Sequence, residues 1–136
     1  MNKSVILVSL LTLLISCAQP RKMTVDYTGK SVRFGKTGGF TNIPMEYVLQ
    51  DNRRVFEIVA DTAKPVNRIS KKQMKEIVAV FDAMDFRNLK LNEPGNMTYF
   101  VDVRYESWEN RVQWSDITDY EQVKNLYKLL LNTINK

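Results

Sequence analysis

The stretch MTYFVDVRY, residues 97–105, decides the fold of this 136-residue chain. Apolar and aromatic side chains fill every second position, and Thr98, Asp102 and Arg104 stand between them. Successive side chains of a strand point to opposite faces, so this alternation predicts a half-buried β-strand over Met97–Tyr105. Phe100 lies on the polar side of the pattern, which indicates that the second face is partly covered as well.

Two amphipathic segments lie on either side of this strand. Ser70-Lys71-Lys72-Gln73 has the S-x-x-Q form of a capping box, in which the first and fourth residues bond each other's backbone N–H groups. Thr118-Asp119-Tyr120-Glu121 has the corresponding T-x-x-E form. Apolar residues then recur every three or four positions, as on one face of a helix. The sequence therefore predicts helices over 71–85 and 119–134.

Shorter alternating stretches supply the remaining strands. The other predicted strands are Ser31–Lys36, Pro44–Gln50, Val55–Ala60 and Arg111–Ser115. Asp51-Asn52-Arg53 has the composition of a turn, so the second and third strands are expected to form a hairpin. The order β-β-β-α-β-β-α predicts an α+β fold, with two helices packed on one face of an antiparallel sheet. A single domain is expected over residues 30–136.

The N-terminus has the features of an export signal. The apolar run Val5–Leu14 is too short to cross a bilayer, because a span needs roughly 20 residues. The run ends in Leu14-Ile15-Ser16-Cys17, which resembles the lipobox of bacterial lipoproteins. The resemblance implies a signal peptide over 1–16, acyl chains such as palmitate on Cys17, and a tether over 17–29. An ordinary signal peptide with an incidental cysteine is the alternative.

The expected location follows from the same resemblance. In bacterial lipoproteins a residue such as Ala18 after the cysteine accompanies sorting to the outer membrane. The protein is therefore expected in the cell envelope, lipid-anchored on the periplasmic face of the outer membrane. Nucleic acid is not expected as a partner of an exported chain.

The positive charge of the chain is compatible with several kinds of partner. The formal net charge is +5, and many of the basic residues fall between Arg53 and Lys75. Such a surface meets anionic headgroups, an acidic partner or only solvent. The sequence alone does not decide between these three alternatives.

The side chains that enzymes use most often are scarce. The chain has no histidine, and its single cysteine is expected to carry lipid. The commonest general base and the commonest ligand for soft metals are therefore missing. No D-x-D-x-D-G calcium loop occurs in the sequence. The prediction is a non-enzymatic protein with no cofactor and no metal site.

The segment GKTGGF, residues 35–40, partly matches a phosphate-binding P-loop. The full motif G-x-x-x-x-G-K-[ST] requires its first glycine at position 30, which is Lys30. The intervening Ser31-Val32-Arg33-Phe34 has strand character where a loop is required. Gly38-Gly39 is a poor start for the helix that should follow. The sequence therefore predicts no nucleotide binding.

Gly38-Gly39-Phe40 lies between two predicted strands, where glycines permit positive φ and a close approach to another surface. This triplet, together with the order of elements over 30–134, resembles emfourin, a family of small bacterial inhibitors of thermolysin-like metalloproteases. The resemblance implies the α+β fold and a protein partner such as a metalloprotease. Asn42 stands where that family usually has another glycine, and the family has no lipid anchor.

Six residues are candidates for contact with a partner. They are Gly38, Gly39, Phe40, Thr41, Asn42 and Trp108. Trp108 is included because an exposed aromatic residue in a turn is a typical binding anchor. Two alternatives stay open: Phe40 as a core aromatic beside a β-bulge, and Trp108 as a lid folded over the sheet. Trp114 shares a strand face with Val112 and is expected in the core.

The sequence thus favours a lipid-anchored, non-enzymatic binding protein of the cell envelope. Protease inhibition is the most specific version of this hypothesis. A structural or envelope-assembly lipoprotein is the alternative from another class. A third hypothesis, a carrier of a small apolar ligand, requires a deep apolar pocket between the sheet and the helices.

Overall fold

The computed structural model describes residues 29–135. The predicted signal peptide, Cys17 and nearly all of the predicted tether lie outside the described residues. The strands are β1 (Ser31–Gly38), β2 (Met45–Gln50), β3 (Arg54–Val59), β4 (Thr62–Arg68), β5 (Met97–Arg104) and β6 (Glu109–Ser115). The helices are α1 (Lys71–Ala83) and α2 (Glu121–Leu131), with a short 3₁₀ helix at Phe86–Asn88.

The sheet has six strands in the order β4-β3-β2-β1-β5-β6, and every neighbouring pair is antiparallel. β1 lies in the interior of the sheet, where Phe34 pairs with Tyr47 on one side and with Val101 on the other. The predicted hairpin of the second and third strands is confirmed as β2–β3. The α+β class, with an antiparallel sheet and two helices, is confirmed as well.

The sequence prediction missed one strand, β4, so the order is β-β-β-β-α-β-β-α. β4 contains Pro65, Lys64 and Arg68 and lies at an edge of the sheet. Proline has no N–H to donate, and charged side chains discourage pairing with another chain, so both are typical of edge strands. The turn before it runs through Ala60 and Asp61 at φ 47° and 62°. It lacks the glycine that usually marks such a hairpin.

Both helices pack on the same face of the sheet. Phe34 of β1 lies on that face and stacks with Tyr47, with 5.6 Å between ring centroids. Tyr127 of α2 meets Phe34 edge-on at 6.5 Å, and Ile77 of α1 belongs to the same buried cluster. Trp114 is 2% exposed, which confirms its expected place in the core.

The opposite face of the sheet combines buried apolar side chains with ion pairs. Phe100 is buried there, and the Cζ atom of Arg111 lies 4.3 Å from the centroid of its ring. Arg111 also pairs with Asp102 on the neighbouring strand, at 3.6 Å. The expectation that the face bearing Phe100 is partly covered is therefore confirmed, and a cation–π contact contributes to the cover.

The two predicted capping boxes have different outcomes. At α1 the Gln73 backbone N–H donates to Ser70 Oγ at 3.1 Å, and the Ser70 backbone N–H donates to Gln73 Oε1 at 2.9 Å. That box is confirmed. At α2 the prediction is wrong, because Tyr120 is the N-cap and its side chain makes no capping bond. The Thr118 hydroxyl instead accepts from the Ser115 N–H at 3.1 Å and closes the turn after β6.

Replacing Ser70 with alanine is expected to lower the free energy of unfolding by about 0.5–2 kcal/mol, because the first turn of α1 loses its acceptor. Urea titration followed by circular dichroism measures this change. Ser70→Gly is the matched control, since glycine at an N-cap costs only a few tenths of a kcal/mol. Equal losses in the two variants would show that the serine cap contributes nothing specific.

Candidate functional site at the loop end of the sheet

Every strand of the sheet runs between the same two ends of the domain. One end holds the β1–β2 loop, the β3–β4 turn, the start of β5 and the β6–α2 loop, and we call it the loop end. At the other end the chain enters β1 at Ser31. The predicted tether joins the domain there, so we call it the tether end. β1 has 8 residues, which places the two ends about 25 Å apart.

Exposed apolar side chains collect at the loop end. Among residues 29–135, five large apolar side chains are exposed, and all five lie there: Phe40, Ile43, Met45, Val59 and Ile117. Phe40 and Ile117 are fully exposed, at 107% and 95%. Single exposed apolar residues are common, but their restriction to one end is typical of an interaction site. We call these five side chains the loop-end surface.

Gly38 and Gly39 give the β1–β2 loop its shape. Both have positive φ, 88° and 75°, a region that other residues rarely occupy. A Cβ atom on Gly38 would collide with the Asn96 carbonyl oxygen, and the Gly39 N–H donates to that same oxygen at 2.8 Å. The expected positive φ is confirmed, and the backbone makes a close approach here. The surface approached is the chain's own segment before β5.

Phe40 projects from this turn. Its complete exposure means that the alternative of a core aromatic is wrong. Thr41 and Asn42 are exposed too, and the Asn42 N–H donates to the Gly39 carbonyl at 3.3 Å. Asn42 has φ 48°, a left-handed conformation that asparagine adopts more readily than most residues. Backbone geometry therefore holds Phe40 outward.

The structure does not bring Trp108 together with this loop. Trp108 lies half-buried in the β5–β6 turn at the tether end. Its ring stacks on Tyr105 with 4.9 Å between centroids, and both rings pack against the core. This matches the lid alternative, and it separates Trp108 from the loop-end surface by the length of the sheet.

The P-loop-like letters have a structural explanation. Gly35-Lys36-Thr37 lies in β1, between β2 and β5. Its peptide groups belong to the sheet, whereas a P-loop turns its N–H groups toward a phosphate. Gly35 is required by packing, because a Cβ atom there would collide with the Met45 carbonyl oxygen on the neighbouring strand.

An aromatic cluster supports the loop end from the helix side. Tyr99 and Trp114 stack across the β5–β6 pair with 5.9 Å between centroids. Tyr127 of α2 meets both rings edge-on, at 5.4 Å and 5.6 Å. Such edge-to-face contacts stabilise aromatic clusters beyond simple burial. The loop-end surface therefore lies next to a tightly packed aromatic part of the core.

Tyr127 is expected to make the fold sensitive to alkaline pH. Burial raises the pKa of its hydroxyl, and the neighbouring Tyr99 and Tyr47 raise it further. An unfolded tyrosine ionises near about pH 10 while the folded one resists, so unfolding releases a proton and stability falls as pH rises. Urea titrations between about pH 8 and about pH 11 measure the slope. Tyr127→Phe is expected to flatten it, and an unchanged slope would contradict this assignment.

A shallow hollow lies between α1 and the sheet at the tether end. Its volume is about 260 Å³, and its apolar lining includes Val32, Leu49, Met74 and Val78. Pockets that hold small ligands usually measure about 300–1,000 Å³. The hollow falls below this range, so it does not support the carrier hypothesis.

Residues 29–135 contain neither a grouped set of metal ligands nor a membrane-spanning helix. No three carboxylate, cysteine or histidine side chains in this part of the chain are grouped as a metal site requires. No helix here is both long and apolar enough to cross a membrane. Neither result adds a second candidate site.

Comparison with known proteins does not assign a family. No protein-family model matches the sequence, and no curated protein matches it.

Sequence reasoning found Phe40 but missed the rest of this surface. Ile117 stands between the predicted strand that ends at Ser115 and the predicted capping box that begins at Thr118, and Val59 lies within the predicted strand Val55–Ala60. An isolated apolar residue between two predicted elements was the available signal for Ile43 and Ile117. Only the strand order shows that all of them share one end of the sheet.

Proposed function

We propose that this protein is a lipid-anchored, non-enzymatic binding protein of the cell envelope that engages a protein partner through the loop-end surface. One observation carries the proposal: every exposed large apolar side chain of residues 29–135 lies at the loop end. The anchor on Cys17 and the place on the periplasmic face of the outer membrane rest on the lipobox resemblance.

Burial of the loop-end surface against a partner contributes a substantial favourable free energy of binding. A large apolar side chain contributes about 1.5–3 kcal/mol when it passes from full exposure to full burial. Phe40 and Ile117 have nearly all of that contribution available, because the domain itself buries neither. An aromatic anchor with apolar neighbours is the usual composition of a binding hot spot.

Two backbone hydrogen bonds shape the β1–β2 loop in the chain by itself. Hydrogen bonds of 2.8 Å from Gly39 to Asn96 and 3.3 Å from Asn42 to Gly39 hold its backbone. A loop that is already in its bound shape loses little conformational freedom on association, and this raises affinity. The protruding loop suits a partner with a concave site.

The most specific version of the proposal is inhibition of a thermolysin-like metalloprotease, which the resemblance to emfourin implies. Phe40 of the G-G-F triplet stands at the exposed tip, where it can enter an active-site cleft. Asn42 occupies the position where that family usually has glycine, and its positive φ is one that glycine adopts without strain. In the envelope-assembly alternative, the same surface binds a partner that is not a protease.

A photo-crosslinking amino acid at position 40 tests the proposal in the acylated protein within its own envelope. Position 125, an exposed asparagine of α2, is the matched control. We expect a discrete protein adduct from position 40 and none of the same mass from position 125. The same adduct from both positions, or no adduct from position 40, would contradict binding at the loop end.

An inhibition assay separates the two versions. A thermolysin-like protease is titrated with the purified chain 18–136. Loss of protease activity near one equivalent supports the inhibitor version. Full activity, combined with an adduct from position 40, favours envelope assembly.

A further inference from the structure

The tether end carries a group of exposed basic side chains, whereas the loop end carries exposed apolar side chains. The basic side chains converge at the tether end from β3, β4 and α1. They are Arg54 at the start of β3, Arg68 at the end of β4, and Lys71, Lys72 and Lys75 at the start of α1. We call these five side chains the basic patch.

The topology makes the patch a single surface. Arg54 and Arg68 are direct partners in the β3–β4 ladder. The Ile69 N–H donates to the Arg53 carbonyl at 2.9 Å, and the Arg53 guanidinium donates to the Ile69 carbonyl at 3.2 Å. These bonds fix the start of α1 against the β2–β3 turn. The lysines of α1 are thereby held beside the two arginines.

Carboxylates also lie at the tether end, but none of them forms an ion pair with the basic patch within residues 29–135. The acidic residues at this end are Asp51 in the β2–β3 turn, Glu76 and Asp82 on α1, and Glu106 and Glu109 where β5 turns into β6. The ion pairs within residues 29–135 use other basic side chains, those of Arg33, Arg104 and Arg111. The five side chains of the basic patch therefore take part in none of the ion pairs of residues 29–135.

Folding does not favour this arrangement. Like charges directly opposite each other on a ladder repel, as Arg54 and Arg68 must. Lys71 and Lys72 lie at the positive end of the α1 dipole, and the first turn has no acidic residue. An anionic surface against the patch removes both penalties.

We propose that the basic patch docks on an anionic lipid surface beside the acyl chains of Cys17. The chain enters the domain at this end. The twelve residues 17–28, fully extended, reach at most about 40 Å. The tether thus keeps the patch near the leaflet, where each basic side chain adds to binding. This proximity favours lipid over an acidic protein. The loop-end surface then faces away from the membrane.

Vesicle binding tests the docking in the absence of the lipid anchor. The chain 18–136, which contains every described residue, is mixed at low ionic strength with vesicles of phosphatidylcholine, with or without phosphatidylglycerol. Flotation measures the bound fraction. We expect binding only to vesicles that contain phosphatidylglycerol, and a steady loss of binding as salt is added.

Paired variants separate the patch from net charge. Lys71→Gln with Lys72→Gln is expected to lower the partition coefficient about thirtyfold, since each basic side chain near an anionic leaflet contributes about fivefold. Lys124→Gln with Lys128→Gln removes the same charge from α2 beside the loop end and is expected to change binding far less. Melting curves check that both variants fold.

Two outcomes would overturn the proposal. One is an equal loss in both double variants, which would mean that net charge alone drives binding. The other is no preference for phosphatidylglycerol, which would leave the patch to an acidic protein or to solvent. Neither outcome bears on the adduct from position 40, so this proposal and the proposed function fail separately.

Discussion

Replacing Leu130 or Phe81 with alanine is expected to lower the free energy of unfolding by about 2–5 kcal/mol in each case. Leu130 of α2 is 0% exposed and Phe81 of α1 is 3% exposed. Phe81 also meets Phe86 edge-on, with 5.1 Å between ring centroids. Each truncation leaves a cavity between the helices and the sheet that the surrounding side chains fill only in part.

Urea titration followed by tryptophan fluorescence measures both losses, because Trp114 lies in the same core. Ile117→Ala is the matched control, since it shortens an exposed apolar side chain and is expected to change stability by less than about 0.5 kcal/mol. Losses below about 0.5 kcal/mol at both Leu130 and Phe81 would mean that the apolar faces of the helices are not core.

Parts of the fold were predictable because their signals are local. Met97–Arg104 alternates strictly, and one such run identifies a strand without knowledge of its neighbours. Ser70 and Gln73 cap α1 within four residues of sequence. The apolar face of α2 was equally clear, although the helix is shorter than predicted, Glu121–Leu131.

Other elements depend on tertiary contacts that local patterns do not encode. β4 exists because β3 offers it a pairing edge, while its own Pro65 and charged residues argue against a strand. Thr118 has the sequence of a cap, but its hydroxyl is used by the Ser115 N–H in the turn after β6. In both cases a neighbouring element decides the outcome.

The loop-end surface was only partly predictable for the same reason. Gly38-Gly39 predicted a turn with positive φ, but glycines do not determine where the next side chain points. Phe40 was therefore open to both a core and a surface position. Val59 and Ile117 are far from it in sequence, and the order of the strands brings them to its end of the sheet.

Replacing Phe40 with alanine is expected to weaken partner binding at least about tenfold, the range of an interface hot spot. Stability is expected to change by less than about 0.5 kcal/mol, because the side chain is fully exposed and few contacts are lost. Trp108→Ala is the converse control. It removes a half-buried ring at the tether end, so it is expected to lower stability and leave binding unchanged.

The most direct test of binding through the loop end uses the partner that crosslinks to position 40. This partner is titrated with wild type, Phe40→Ala and Trp108→Ala, and the unfolding curve of each protein is measured in parallel. The expected result is a Kd at least about tenfold higher for Phe40→Ala with an unchanged unfolding midpoint, and an unchanged Kd for Trp108→Ala with a lower midpoint. The contradicting result is a Kd that Phe40→Ala leaves unaltered, or one that rises only with a stability loss of about 3–5 kcal/mol.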